Sequence, residues 1–466
     1  MGTALRPDEP DPIPPPPGAA AHLADLDVGT QRQVRRTLRL ALAEGSITQV
    51  FLNWTTGSVL VGYMLHLGAA PTEIALVSAV PHLSQMASPV AAYLAAALGR
   101  RKLLTVVVAL VSRLSWLLAA ALPLAPIPDA WRPPALILLV LVSSFFLAAN
   151  TTLWASWMGD VVPERERGRY FGLRSGVMGA VGTVASLAAG AFLDRVGAPF
   201  SFQAVLAAAV AIALVGVALY LGQVDPPTAP ERVRWGQLLT LPWRNVAFRN
   251  FLRFTVYWNF VVMLSGPFVT PYLLQELNFT FTQVAIAAAI TAGTALFTTY
   301  VWGRVADRIG HRVVLGVGTF LVGLLLPTGW ILAGITGVSA WIYVTAAFDA
   351  LSWGAVRLAA FNMALLSAPR TNRVVFIAMY GLGAGLAGFF GGALSGPLLI
   401  FLQRFETPAF GTVWTAYHWL FAIAAVLRMQ AWWWLRSVPE AGGAPPAQVE
   451  QRGGPAAFAS APADPE

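Results

Sequence analysis

The chain has 466 residues, of which 57% are hydrophobic and 11% are charged, and its formal net charge is +8. Soluble domains typically contain about 25% charged residues, so this composition excludes a soluble multidomain enzyme and indicates a protein that crosses a membrane many times. Cysteine is absent, which excludes disulfides, cysteine-ligated zinc and iron–sulfur clusters.

The two ends of the chain differ in composition from its centre. The first 29 residues contain the run Pro14-Pro15-Pro16-Pro17 and no apolar stretch, and the last residues are rich in Ala, Pro and Gly. Both ends are therefore predicted to be disordered. The predicted organisation is a tail with a basic pre-helix segment over 1–43, a six-helix bundle over 44–222, a linker over 223–249, a second six-helix bundle over 250–436 and a tail over 437–466.

Between the ends lie twelve apolar segments long enough to cross a bilayer, which takes about 20 residues. The longest polar connection is 223–249, and it separates six spans from six. In chain order the spans are predicted at 44–67, 72–98, 102–125, 133–157, 170–193, 200–222, 250–274, 281–303, 313–335, 340–366, 374–402 and 412–435.

The basic residues predict the orientation, because Lys and Arg accumulate on the cytoplasmic side of a membrane. With both termini inside, the basic residues fall almost entirely on the inner loops, and the positive net charge reflects this topology and not nucleic-acid binding. The inner segments hold Arg32, Arg35, Arg36, Arg39, Arg100, Arg101, Lys102, Arg165, Arg167, Arg169, Arg304, Arg308, Arg312, Arg370 and Arg373, and the outer loops hold Arg132, Arg195 and Arg404.

Comparison of the chain with itself indicates an internal repeat, which is a feature of many transporter folds. In two separate loop regions, residues of the first half match residues of the second half at nearly the same separation, which is a little under half of the chain. Pro163 and Pro369, Arg167 and Arg373, and Gly182 and Gly388 are each 206 residues apart, and Gly99 and Gly310, and Arg101 and Arg312, are 211 apart.

Three loop motifs carry a resemblance to the major facilitator superfamily. GRVADRIGHR at Gly303–Arg312 is similar to that family's GxxxDRxGRR loop between the second and third helices of a half. YLAAALGRRK at Tyr93–Lys102 keeps the glycine and the basic residues of this loop, but has Ala96 and Ala97 where the acid and arginine would be. PERERGRYFGLR at Pro163–Arg174 resembles the loop between the fourth and fifth helices.

The resemblance implies an all-α membrane protein with twelve transmembrane helices in two pseudo-symmetric six-helix bundles. It also implies a secondary transporter that works by alternating access, in which the halves rock around a site near the midplane.

The resemblance further implies a gate on the cytoplasmic face. Asp307 would hold the halves together by contacting the start of the fifth span, near Gly168–Phe171 and Arg174, because an acid is stabilised at a helix N-terminus. Since the first half has Ala96 at the corresponding position, one such latch is predicted instead of two. The predicted gating residues are Gly99, Arg100, Arg101, Arg169, Arg174, Gly303, Asp307, Arg308, Gly310 and Arg312.

Ionisable residues inside the predicted spans are candidates for function, because charge is costly in a bilayer. Asp349 lies near the middle of the tenth span and is the candidate for proton coupling; Arg357 is a candidate for substrate binding, and a structural ion pair is the alternative for both. Arg113 is expected to pair with His82 or a backbone carbonyl, or to contact substrate. Arg428 is expected to extend to the inner boundary.

The resemblance places the first, fourth, seventh and tenth spans around a central cavity. These spans carry polar and aromatic residues that suit a ligand with both apolar and hydrogen-bonding surfaces, although aromatic residues of this kind also serve as packing. The predicted substrate-binding residues are Asn53, Trp54, Asn150, Trp154, Tyr257, Trp258, Asn259, Trp353 and Arg357.

Three classes of function fit these features. The first is a secondary transporter that moves a small solute across the cell membrane, with proton coupling left open. The alternatives are a transporter-like membrane sensor, or a membrane enzyme that acts on lipid-linked substrates. Because no GxxxxGK[ST] loop is present, a self-contained ATP-driven pump is not expected. We expect a multi-pass monomer with both termini cytoplasmic and no enzymatic activity, cofactor or metal, whose partners are a small-molecule substrate, the lipid bilayer and, if coupled, protons.

Overall fold

The computed structural model of the chain describes residues 17–20, 22–226, 243, 245–367, 373–409 and 412–438. Within these ranges the chain folds into twelve helical rods, as the span pattern predicts. They are α1 (Val28–Thr55, continued by Gly57–His66), α2 (Pro71–Leu83, continued by Ala87–Leu98), α3 (Arg101–Ala121), α4 (Arg132–Val161), α5 (Arg167–Val196), α6 (Phe200–Leu221), α7 (Val246–Ser265, continued by turns to Glu276), α8 (Phe281–Ile309), α9 (His311–Thr336), α10 (Ala340–Ser367), α11 (Arg373–Leu402) and α12 (Ala416–Met429, continued by Ala431–Leu435).

Four of the rods are interrupted, and the other eight are long and apolar enough by themselves to cross a membrane. The interruptions lie at Thr56, next to Gly57, in α1, at the turn Ser84–Met86 in α2, at Gly266–Phe268 in α7 and at Gln430 in α12. The loop between α11 and α12 also contains a short hairpin, in which strand β1 (Thr407–Ala409) pairs antiparallel with β2 (Thr412–Trp414).

The start of the first span differs from the prediction. Helix α1 begins at Val28, where the Asp27 side chain accepts a hydrogen bond from the Thr30 amide at 3.0 Å. The basic pre-helix segment is therefore the beginning of α1 itself. An N-cap residue of this kind satisfies an amide that the helix leaves free, and the apolar pattern used for the prediction does not register it.

Part of the segment predicted to be disordered is ordered. Residues 17–20 and 22–27 form short turns against the loop that precedes α5: the Leu23 amide donates to Glu166, and Arg167 donates to the Gly18 carbonyl. The expectation is corrected for these residues. The predictions for 1–16, for most of the linker (227–242 and 244), for Arg370 and for 439–466 lie outside the described residues.

Helices α1–α6 and α7–α12 form two halves that repeat one another in their contacts. Arg101, at the start of α3, donates to the carbonyl of Pro226 at 3.5 Å, just beyond α6. Arg312, at the start of α9, donates to the carbonyl of Val438 at 3.2 Å, just beyond α12. In each half, the first arginine of the third helix thus holds the chain where the six-helix bundle ends, as the 211-residue shift predicts.

The two halves meet closely at one end of the molecule. We call the end where α1 begins and α12 finishes the terminal face, and the opposite end the distal face. Near the distal face, Gly190 of α5 packs on the backbone of Phe281 and Thr282 of α8, and Gly396 of α11 packs on the backbone of Thr72 of α2. A Cβ atom at either glycine would collide with that backbone, so small residues permit this close approach.

Toward the terminal face the same helices are apart. On the stripe of α5 that holds Gly190, a Cβ atom added at Gly176 or Gly179 would meet no atom within 4 Å, and the same is true of Gly293 and Gly303 on the facing stripe of α8. The side chains of Leu296, Phe297 and Tyr300 on α8 are 72%, 74% and 61% exposed. The halves are therefore closed at the distal face and open at the terminal face.

One carboxylate joins the two halves at the closed end. Asp194, in the last turn of α5, accepts hydrogen bonds from the amides of Phe281 at 2.9 Å and Thr282 at 2.8 Å. These amides belong to the first turn of α8, which carries a partial positive charge. Asp194 therefore caps a helix of the opposite half.

We predict that Asp194→Ala loosens the distal closure. An exposed acid at a helix N-terminus contributes about 0.3–1 kcal/mol, so the ratio of distal-open to distal-closed molecules should rise by up to about fivefold. The measurement is labelling of a single cysteine introduced at Thr56, with an impermeant reagent applied from the distal side.

The matched control is Glu73→Ala. Glu73 also accepts a bond from a backbone amide at the distal end of a helix, Ala70 at 2.7 Å, but within its own half. Equal labelling rates in the two variants would show that Asp194 does not hold the halves together.

Candidate functional site

The interruptions of α1 and α7 occur at corresponding positions of the repeat. Gly57, which has φ +59°, and Pro267 are 210 residues apart. A cavity of about 330 Å³ lies between them, lined by Thr56 of α1, Ser78 of α2 and Thr270 of α7 among others. Paired breaks in corresponding helices are typical of a substrate site at the interface of transporter repeats, so this interhalf cavity is the centre of the candidate site.

A buried polar cluster lies beside this cavity within the first half. Glu44 of α1 is 2% exposed, and its Oε1 accepts hydrogen bonds from the hydroxyl of Thr48 at 2.6 Å and from that of Tyr220 at 2.8 Å. Asn150 of α4 is also buried; its amide donates to the Thr105 carbonyl, and its oxygen accepts from Tyr220 at 3.4 Å.

Two arginines complete the cluster. The guanidinium of Arg174 lies 3.9 Å from Glu44 Oε2 and 4.0 Å from the ring centre of Trp154, over the face of the indole. Arg113 is 1% exposed, donates to Thr48 Oγ1 at 3.2 Å and lies over the Phe51 ring. With one acid and two arginines, 2 − 1 gives the cluster a net charge of +1.

The cluster encloses its own cavity of about 200 Å³, lined by Glu44, Asn150, Trp154, Arg174 and Tyr220 among others. Leu52 and Leu147 line both this cavity and the interhalf cavity. The two cavities are therefore neighbours, and we call them together the candidate site.

The second half holds a comparable set of charges around Asp349. Asp349, Trp353 and Arg357 follow one stripe of α10 at a spacing of four residues, and the Trp353 ring lies 5.9 Å from that of Trp258 on α7. Arg357 and Arg428 are the positive charges that act on the Asp349 carboxylate. This set again has one acid and two arginines, hence a net charge of +1.

Arg428 does not extend to the inner boundary as predicted. It is 2% exposed, and its Nη2 donates to the Val262 carbonyl at 3.0 Å and to Ser265 Oγ at 2.8 Å. These acceptors directly precede the interruption of α7, so the arginine binds polar groups there instead of water. Arg113 donates to the backbone carbonyl of Ala109 at 3.5 Å, as one of the alternatives predicted, and also to Thr48. The other predicted partner, His82, packs instead on Gly388 at the interface of the halves.

Several residues predicted to bind substrate are engaged within their own half. The indole of Trp54 donates to Ala185 at 2.8 Å, Asn53 accepts from Ser186 at 2.7 Å, and the Tyr257 hydroxyl donates to Leu427 at 2.7 Å. The amide of Asn259 donates to Thr255 of its own helix. Trp258 is buried and stacks on Phe254. Asn150 and Trp154 are the predicted residues that line the cluster cavity.

The predicted gating residues occupy different places. Gly99 and Gly310 end their helices with positive φ, whereas Arg100, Arg169, Asp307 and Arg308 are exposed at the terminal face. In the described part of the chain, Asp307 makes no ion pair, as expected for separated halves. Arg174 lies in the buried cluster and not at the gate.

Arg101 has a different environment. It is 3% exposed and pairs with Asp160 and, at 3.9 Å, with Asp225 at the start of the linker. Burial raises the pKa of Asp225 above its ordinary value, while Arg101 and Lys102 oppose the shift. This arginine therefore stabilises the loops at the end of the first half.

The sequence reasoning missed Glu44 and Tyr220. Glu44 stands at the predicted start of the first span, where an acid would be in contact with headgroups. Because α1 begins at Val28, Glu44 actually lies about 24 Å along the helix. The N-cap Asp27 was the signal that would have placed it inside. Among the described residues, no group of three or more His, Asp or Glu could hold a metal ion.

Two six-helix halves around a polar cavity define a secondary transporter of the alternating-access class. The sequence matches the profile of the Major Facilitator Superfamily over residues 45–270 and again over 259–463, and the chain belongs to this superfamily. The sequence has no match among curated proteins.

Solved transporters share the fold at low sequence identity. The nucleoside transporter NupG aligns with a TM-score of 0.63 and 14% identity, covering 87% of this chain and 98% of that chain. The D-xylose–proton symporter gives 0.66 and 14%, covering 88% and 99%. The xylose transporter XylE from E. coli, in a partially occluded inward-open conformation, gives 0.61 and 13%, covering 88% and 100%.

We predict that the Glu44 cluster stabilises the first half. Glu44→Ala leaves two buried arginines without their acid and should destabilise the protein by about 3–5 kcal/mol. Tyr220→Phe removes one hydrogen bond to a charged acceptor and should cost about 1–3 kcal/mol. Chemical unfolding of the purified protein in detergent measures both changes.

Thr151→Val is the matched control, since Thr151 lines the same cavity but its hydroxyl donates to Leu147 of its own helix. The interpretation is wrong if Glu44→Ala is no less stable than this control.

Proposed function

We propose that the protein moves a small solute across the cell membrane with both termini in the cytoplasm. The basic bias of the terminal-face loops supports this orientation. The observation that carries the proposal is the interhalf cavity, which is closed by α5–α8 and α2–α11 at the distal face and open at the terminal face. In this orientation the structure is the inward-open state, and the solute would meet the candidate site from the cytoplasm.

The site favours transport over the two alternatives. A sensor has no need of two matching helix breaks, and an enzyme acting on lipid-linked substrates would need reactive groups at a membrane face. Here the charged residues lie deep within each half, and the seams between the halves are rich in glycine. The protein is proposed to act as a monomer, since each monomer contains a complete cavity. Asn150, Trp154, Trp353 and Arg357 are proposed to contact the solute, and Trp258 to pack behind Trp353.

Proton coupling is proposed at Asp349. This carboxylate is partly buried in α10, and the described residues offer it no hydrogen-bond donor, although Arg357 and Arg428 act on it electrostatically. Such an acid can gain and lose a proton as the surrounding charge and hydration change. The D-xylose–proton symporter, which shares the fold, is a proton-coupled precedent.

We predict that Asp349→Asn abolishes proton-coupled uptake and preserves solute exchange. Wild-type protein in vesicles loaded with a pH-sensitive dye should move protons when a transported solute is added from a panel of nucleosides, D-xylose, amino acids and aromatic acids. The variant should give no proton signal, because an amide cannot carry the proton, while exchange of radiolabelled solute continues.

Asp129→Asn is the control, because that acid is 84% exposed and pairs with Arg132 at the distal surface. Persistence of the proton signal in Asp349→Asn would assign coupling to another residue. Absence of flux for the whole panel in the wild type would contradict transport of these solutes.

We also propose that Asp307 is the terminal-face latch, formed when the halves close there. A partly buried acid at a helix N-terminus contributes up to about 2 kcal/mol, or about thirtyfold in a two-state ratio. Asp307→Ala should therefore shift the protein further toward the terminal-open state. The measurement is labelling from the terminal side of a single cysteine at Thr183, which is partly exposed on α5.

Glu164→Ala serves as the control, since it removes an exposed acid from the same face. Unchanged labelling of Asp307→Ala relative to this control would remove Asp307 from the gate.

A further inference from the structure

Three buried N–H groups around the first-half cluster have no acceptor in the described part of the chain. They are Nε of Arg113, Nε of Arg174 and the indole Nε1 of Trp154. A buried donor without an acceptor costs about 1–3 kcal/mol, and more when it is charged. Since such groups are paired in nearly all native proteins, each of the three is available to an acceptor; the Nε groups of Arg101, Arg132, Arg249 and Arg428 elsewhere in the described chain share this property, so the cavity and the charge of the cluster must define the site.

The two residues that carry two of these donors line one cavity. Trp154 and Arg174 both line the cavity of about 200 Å³ beside Glu44, and they hold each other through the contact between guanidinium and indole. Gly45 of α1 leaves the space that the Arg174 guanidinium occupies. Arg113 lies one layer further from the cavity and holds Thr48 in place.

The charge of the cluster defines the acceptor. Glu44 neutralises one arginine, and the surplus of +1 lies in a site that the bilayer keeps at low dielectric. A group with one negative charge would remove the surplus and accept the free N–H groups, because arginine pairs well with planar carboxylates. A phosphate monoester carries a charge of about −1.5 to −2 at neutral pH, which is more than is needed to neutralise the surplus charge of the cluster.

We propose that this cluster binds the carboxylate of an organic monoanion, which is the transported solute. This inference rests on the proposed transport function and names its substrate class. Arg174 and the indole N–H of Trp154 bind the carboxylate. The apolar body of the solute lies against Leu52 and Leu147 and extends into the interhalf cavity, which both leucines also line.

The test measures ligand-induced thermal stabilisation of the purified full-length protein in detergent, since a ligand that binds the native state raises its melting temperature. Four probes share one ring and differ in charge: benzoate, neutral benzamide, cationic benzamidine and phenyl phosphate. Benzoate should stabilise the protein in a saturable manner, and the other three should require at least about tenfold higher concentration, as expected for loss of a charged hydrogen bond. Equal stabilisation by benzamide, or stronger stabilisation by benzamidine, would overturn the proposal, and preference for phenyl phosphate would replace the carboxylate by a phosphate.

Two variants locate the binding. Arg174→Gln should weaken benzoate binding at least about tenfold, whereas Arg195→Gln makes the same change at an exposed position of α5 and should leave it unchanged. Trp154→Phe keeps an aromatic ring beneath Arg174 and removes the indole N–H. It is the second test of the site if Arg174→Gln does not fold, and it should weaken benzoate binding severalfold. Full benzoate binding in a folded Arg174→Gln or in Trp154→Phe would place the anion elsewhere.

Vesicle flux separates this inference from the transport function. Flux of neutral solutes without benzoate binding would overturn the substrate class and keep the transporter. Benzoate binding that depends on Arg174, without flux of any anion tested, would contradict transport and support the anion site.

Discussion

The structure depends on one constraint: inside hydrocarbon, every backbone N–H and C=O must be bonded within the protein. Continuous helices meet this requirement alone, and eight rods of the described chain are of that kind. The interruptions of α1 and α7 are tolerated because they line a cavity and because side chains bond the adjacent backbone. Arg428 does this in the last turn of α7 before the break, where it donates to the Val262 carbonyl, which also accepts the Gly266 amide, and to Ser265 Oγ.

The same low dielectric governs the charged residues. An arginine such as Arg113, at 1% exposure, is stable only with acceptors and a counter-charge. Each half therefore contains an acid, Glu44 or Asp349, beside two arginines. Because each acid is outnumbered, the two sets leave a net charge of +1 in each half, and in the first half that charge lies at the cluster cavity. Structural burial alone does not require such a surplus, whereas a negatively charged ligand makes use of it.

Much of this fold could be predicted from the sequence, and the reasons for the failures are physical. The length of the apolar segments and the basic loops predict twelve spans. The internal repeat predicts that Arg101 and Arg312 are equivalent residues of the two halves, and each donates to a carbonyl at the end of its own half. The site was harder, because hydropathy places the membrane boundary at Glu44 and does not show that α1 begins at Val28, after the N-cap Asp27. Residue type also does not separate binding from packing: Trp54 and Trp154 look alike in sequence, but the indole of Trp54 is bonded to Ala185, whereas that of Trp154 has no acceptor among the residues that the structure describes.

The two seams between the halves differ in what holds them. Along α2–α11 the contact is made by Gly388 and Gly396 packing on the opposite helix, and the first-half loop has alanine where the family motif has an acid. Along α5–α8 each helix carries an acid in its last turn: Asp194 on α5 and Asp307 on α8. An acid at the end of its own helix is unfavourable, so its position is useful only when it meets the start of a partner helix. Asp194 does so here, at the start of α8. The proposed contact of Asp307 with the start of α5 lies at the opposite end of the same pair. When α5 and α8 rock as rigid helices, one of these contacts cannot form unless the other separates. In each transport cycle this pair of helices would therefore exchange the Asp194 contact for the Asp307 contact, while α2 and α11 slide along their glycine-rich interface.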